Sequence, residues 1–140
     1  MDLFSLPLEL RALRSLTDDS LSEKKRVALL GRLSAKHFST EISVKAFKRV
    51  SKTFTEKSIL VNWDDLVEDP RLSSDIRAEL VDSDAESAPI KKWKSMLNML
   101  DRYRKRRAMI EMCKKGAEIL KGDDDIDEDD MLNDFANHLN

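Results

Sequence analysis

Glycine and proline are scarce in this chain, three of each among 140 residues. Barrels and sandwiches need many tight turns, so this scarcity argues against an all-β fold. Cysteine occurs once, at Cys113, so no internal disulfide can form, which suits a reducing cytosol. Histidine occurs twice, at His37 and His138. With so few bases, and no serine in a strained elbow, no nucleophile–base pair stands out. No apolar run approaches the roughly 20 residues that cross a bilayer. Met1 to Leu16 carries Asp2, Glu9, Arg11 and Arg14 among its leucines, unlike a signal peptide. These absences predict a cytoplasmic protein.

What is present favours helix. Hydrophobic residues make up 41% of the chain and charged ones 37%, with good helix formers dominant. The formal net charge of −2 hides a strong asymmetry. Residues 1–89 are nearly balanced, residues 90–121 hold 11 basic and 3 acidic side chains, and residues 122–140 hold 8 acidic and no basic ones.

Apolar spacing predicts a bundle of short helices in residues 1–82. Leu6, Leu10, Leu13 and Leu16 recur at helical intervals, as do Val27, Leu29, Leu30 and Leu33 after Ser22. Thr40 is placed to cap a third helix, with Ile42, Ala46, Phe47, Val50 and Phe54 as its buried stripe. Asn62 or Asp64 starts a short helix ending before Pro70, and Ser73 or Ser74 starts another through Leu80. Residues 83–89, within the stretch DSDAESAP, read as a polar linker. Residues 90–140 then read as a helical hairpin: a long basic helix from Ile90 to about Lys121, a glycine stop at Gly122, an acidic turn, and a shorter helix bearing Met131, Leu132, Phe135 and Leu139. The long helix shows two apolar stripes, one through Trp93, Leu97, Leu100, Ala108 and Met112. The other runs through Met96, Leu100, Tyr103, Ile110, Cys113, Ala117 and Leu120. One hairpin cannot cover both, so the expected fold is all-α, with surface left over for further copies or another protein.

Motifs that carry chemistry are missing or broken. The stretch GAEILKGD offers no phosphate cradle, since Asp123 follows Gly122 where a lysine is needed. Cys113, His37 and His138 are too dispersed for structural zinc. Asp123, Asp125, Asp127 and Asp129 alternate as in a calcium loop, but Glu128 stands where that loop needs glycine and Asp134 where it needs glutamate. No metal and no cofactor is expected. The run Tyr103 to Arg107, YRKRR, together with Lys91, Lys92, Lys94 and Arg102, is the one candidate for nucleic-acid contact, through Arg104, Lys105, Arg106 and Arg107. Consecutive positions point all around a helix, which favours a merely charged surface over a groove-facing stripe.

Two segments resemble the N-terminal collar of DnaB-type hexameric replicative helicases. In Val27 to Leu66, Phe38, Phe47 and Phe54 take that family's aromatic or apolar positions, and Asp64, Asp65 and Leu66 open the next helix. In Arg102 to Leu139, Arg107, Ile110, Ala117, Ile119, Asp129, Leu132, Asp134 and Ala136 fit its basic helix, acidic turn and closing helix. The resemblance spans about residues 22–139, and its motifs are patterns of helix and apolar residues. The stretch Trp63 to Leu80 departs from the bacterial form and suggests a phage-like source. The family continues into an ATPase domain with a Walker motif, whereas this sequence ends at Asn140.

The resemblance implies a non-catalytic collar that pairs through its hairpins, closes as a trimer of dimers, and recruits primase or a helicase loader. The expected self-interface is Leu97, Leu100, Tyr103, Ile110, Met131, Leu132 and Phe135. Two other readings stand beside it. One is a stand-alone regulator that mimics the collar and binds helicase subunits; the other is a helical nucleic-acid binder.

Overall fold

A computed structural model describes residues 2–122 and residue 133. Among these residues the chain is all-helical, in six α-helices and two single 3-10 turns. The second arm of the expected hairpin, with Met131, Leu132 and Phe135, lies outside the described residues, as does the alternating acidic stretch.

Each early helix begins where a side chain can satisfy a free backbone amide. Helix α1 (Leu6–Leu16) is capped by Ser5, whose oxygen accepts from Leu8 N, and has Pro7 in its first turn. Ser22 caps α2 (Glu23–Arg32) and Thr40 caps α3 (Glu41–Lys57). The alternatives left open by the sequence resolve to Asn62 for α4 (Trp63–Val67) and Ser73 for α5 (Ser74–Asp82). Helix α3 stops at Ser58, held left-handed at φ 55°. Helix α6 (Trp93–Gly122) follows a 3-10 turn at Ile90–Lys92. Its 30 residues make a rod about 45 Å long.

The core is one apolar cluster centred on α1. Ala12, Leu13 and Leu16 are fully buried between α2, α3 and α6. Leu29, Phe38, Ala46, Phe47 and Val50 close it from one side, and Leu66, Leu72, Ile76 and Leu80 from another. The rings of Phe38 and Phe47 stack at 4.7 Å between centroids. Trp93, Met96, Leu97 and Leu100 belong to the same cluster.

That last membership corrects the expected layout. The first two turns of α6 complete the bundle rather than start a separate unit. Residues 83–89 are likewise no free linker but a strap bound across α1. Ser15 Oγ accepts from Ala88 N (2.8 Å), Asp18 accepts from Ser87 Oγ (2.7 Å), and Arg14 Nε donates to Ala85 O (3.1 Å). Trp93 Nε1 then donates to Ala88 O at 2.9 Å, fixing the strap to the start of α6.

Candidate functional site

Helix α6 is two amphipathic segments in one rod. In the first, Trp93, Met96, Leu97 and Leu100 face the bundle, and none is more than 9% exposed. At about 100° per residue, Met109 stands half a turn round from Leu100. Met112, Cys113, Gly116 and Leu120 continue on Met109's side, at helical intervals of three and four. The apolar face therefore changes sides within the basic run. Met109 and Gly116 are buried apart from the main cluster and Leu120 is half-buried, while Met112, Cys113 and Ile119 are exposed, Ile119 at 52%. A bundle that holds the first segment cannot also reach the stripe of the second.

This geometry sorts the expected interface residues. Leu97 and Leu100, at 4% and 1% exposure, are core residues and not surface for a partner. Both fall on the bundle-facing side, next to α1 and the 3-10 turn Ala35–His37. Tyr103 is half-buried and Ile110 is exposed at 38%. The two stripes read from the sequence mixed residues of opposite faces, and Met109 belonged to neither.

The basic residues divide just as clearly. Arg107 donates to Leu3 O (2.8 Å) and Lys36 O (2.7 Å), and Arg106 donates to Asp2 O (3.2 Å). The arginine pair thus ties the N-terminal segment to α6 where the helix leaves the bundle. Arg104 sits 3.5 Å from Asp101, and Arg106 lies over the Tyr103 ring. Lys91, Lys92, Lys94, Arg102 and Lys105 are exposed. Among them Lys94, Arg102 and Lys105 share one outward face of the helix, along with Asn98. The run is therefore part internal tie and part stripe, not the all-round charge expected.

Two polar clusters hold this arrangement. Glu9, 1% exposed, lies in the first turn of α1 and turns its carboxylate to the start of α3. It accepts from Ser39 N (2.8 Å), Ser39 Oγ (3.0 Å), Thr40 N (3.3 Å), Thr40 Oγ1 and Ser43 Oγ. An anion among the free amides of a helix N-terminus is favoured by both hydrogen bonding and the helix dipole. The sequence reading missed Glu9. Its signal was position: it falls between Leu6 and Leu13 on α1's apolar face.

The second cluster is a latch between the bundle and α6. His37 Nδ1 accepts from Ser34 N (3.0 Å), so Nε2 carries the proton and donates to Asp101 Oδ1 at 2.6 Å. His37 thus caps its own 3-10 turn, and the ring also reaches α6. The hydrogen bond from His37 holds the Asp101 carboxyl below the usual carboxylate range. Asp18 is lowered as well, first by the hydroxyl of Ser20 and then by that of Ser87.

A polar cavity of about 300 Å³ opens beside the strap, lined by Arg14, Asp18, Asn62, Trp63 and Ser87 among others. The Arg14 guanidinium stacks over Trp63 at 4.4 Å while its Nε holds Ala85 O. Both of its anchors are thus used in fixing the fold. Among the described residues no group of three or more His, Cys, Asp or Glu could hold a metal ion. No described helix is long and apolar enough to cross a membrane.

No family model, curated protein or solved structure matches the chain.

Proposed function

We propose that this chain is a non-catalytic assembly and partner-binding module, with the outer half of α6 as its contact surface. One observation carries the reading. Beyond Met109 the apolar side chains of Met112, Cys113 and Ile119 are exposed on α6, flanking the buried Met109 and Gly116. Exposed apolar surface on a projecting helix is stabilised by burial against another protein surface.

The specific form of the proposal is the collar of a cytoplasmic, phage-like replicative DNA helicase. In that form the chain sets ring assembly as a dimer, or as a hexamer built from three dimers, and recruits primase or a loader. Its support is the likeness of Val27–Leu66 and Arg102–Leu139 to that family. The regulator that binds helicase subunits would use the same surface.

The test is the mass of the purified chain by light scattering, beside the double variant Met112→Asp/Ile119→Asp. Both positions are exposed in the single chain, so the fold is expected to survive the change. The parent is expected to exceed its chain mass of 16.1 kDa, and the variant to fall to it. An unchanged mass in the variant would remove the outer half of α6 as the contact surface.

A second reading has its own observation. Lys94, Arg102 and Lys105 are exposed on one side of α6, with Asp101 beside them engaged by His37 and Arg104. Such a stripe suits contact with a phosphate backbone. Reversal of Lys94, Arg102 and Lys105 to Glu is expected to abolish single-stranded DNA binding measured by fluorescence anisotropy at low salt. Reversal of Arg104 and Arg107 would instead disturb internal ties. DNA affinity that survives the triple reversal would end this reading.

A further inference from the structure

A cleft on the bundle, between α3 and the turn from α4 to α5, is lined by cations from both sides. Lys45, Lys48 and Arg49 share one face of α3, three and four positions apart, and Arg71 comes from the turn. The cleft holds about 460 Å³, and among the described residues no acidic side chain lines it. Pro70 and Leu72 supply its apolar part, Leu72 being buried.

One carboxylate fixes the two sides together. Asp69 Oδ2 accepts from Arg49 Nε (3.1 Å), and Asp69 Oδ1 accepts from Arg71 N (2.9 Å). The charge of Arg49 is thereby met, and that of Arg71 is not. Lys45 pairs with Glu41 one turn back on α3, with both side chains more than half exposed. Such a surface pair holds Lys45 only weakly. Lys48 and Arg71 are exposed and form none of the described ion pairs. Ser73 borders the cleft and caps α5, so the positive end of that helix adds to the same field. Asp75, in the first turn of α5, does not line the cleft.

A phosphate monoester suits this cleft better than other anions. It carries about −1.5 to −2 charge at pH 7 on three acceptor oxygens, which matches cations that approach one place from two elements. A nucleic-acid backbone spreads its charge along a line, and among the described residues no aromatic side chain lines the cleft to stack a base. The apolar part suits the side chain next to a phosphorylated residue in a protein segment.

We infer that this cleft receives a phosphorylated residue of a partner protein, with the phosphate among Lys45, Lys48 and Arg71 and an adjacent apolar side chain against Pro70 and Leu72. The surface is separate from α6, so the inference stands independently of the assembly reading.

Amide NMR of the full chain tests this, with the capped peptide Ala-Leu-phosphoSer-Leu-Ala as probe. Saturable shifts are expected at the backbone amides of Arg71, Leu72, Ser73 and Ser74, and the same peptide with plain serine is expected to leave them in place. Lys48→Glu/Arg71→Glu is expected to lose the shifts, and so is the milder Lys48→Gln/Arg71→Gln. Both positions are exposed, and circular dichroism melting verifies that each variant folds. Lys94→Glu/Arg102→Glu, on α6, is expected to keep the shifts. Absence of shifts in the parent, or shifts that survive both changes at Lys48 and Arg71, would overturn the inference. Equal shifts from the plain-serine peptide would reduce the cleft to an apolar contact. An oligothymidine without a terminal phosphate that displaces the phosphopeptide would make it a nucleic-acid backbone site instead.

Discussion

Replacing Glu9 by alanine is expected to destabilise the fold by about 3 kcal/mol, a fall in melting temperature of roughly 10 °C for a chain of this size. The reason is local. The carboxylate is buried and accepts from two backbone amides and three hydroxyls around the first turn of α3. Removing it leaves the amides of Ser39 and Thr40 without that acceptor, and a donor orphaned away from water costs more than an average hydrogen bond contributes. Among the described hydrogen bonds, it also removes the only side chain of α1 that grips α3 by polar contact. Glu9→Gln keeps the volume and one acceptor, so it should lie between parent and alanine variant. Thermal melting followed by circular dichroism would check this. A change in melting temperature under about 2 °C would show that the cluster contributes little.

Leu100→Asp is expected to unfold the chain, not merely to separate copies of it. Leu100 is 1% exposed and packs in the cluster that joins α6 to α1. A carboxylate there has no counter-ion, and burying it unpaired costs several kcal/mol beyond the lost apolar contact. That sum is a large part of the 5–15 kcal/mol that holds a typical domain together. The expected result is loss of the cooperative thermal transition. A variant that melts like the parent but has a lower mass would instead place Leu100 at an interface between chains.

The helix starts were legible because caps are local. Ser22 and Thr40 sit directly before periodic apolar residues, and their side chains accept from amides three positions on. The stripe of α3 was legible for the same reason: Ile42, Ala46, Phe47 and Val50 repeat at helical spacing and are all buried. The strap was not. Its polarity reads as a loop, and the bonds that fix it join residues about 70 positions apart, such as Ala88 to Ser15.

Helix α6 defeated pattern reading in another way. Its apolar face switches sides near the basic run, so a stripe traced through the whole helix links residues that never share an environment. Leu97 and Leu100 looked like interface on that basis, although Trp93 and Met96 beside them already hold that side to the bundle. The arginines looked like one basic patch because sequence shows charge but not partner. Only the fold shows that Arg106 and Arg107 are committed to carbonyls of the N-terminal segment. Glu9 was passed over because an acid in a leucine-rich helix is most simply read as solvent-facing. Its position on the apolar face was the contrary signal.

The account turns on whether the outer half of α6 is a surface for another chain. Light scattering over a dilution series, on the parent and on Met112→Asp/Ile119→Asp, measures this most directly. The account predicts a parental mass that is a multiple of 16.1 kDa and falls on dilution, and a folded variant that is monomeric throughout. A parent that is monomeric at every concentration, or a variant that assembles as the parent does, would contradict it.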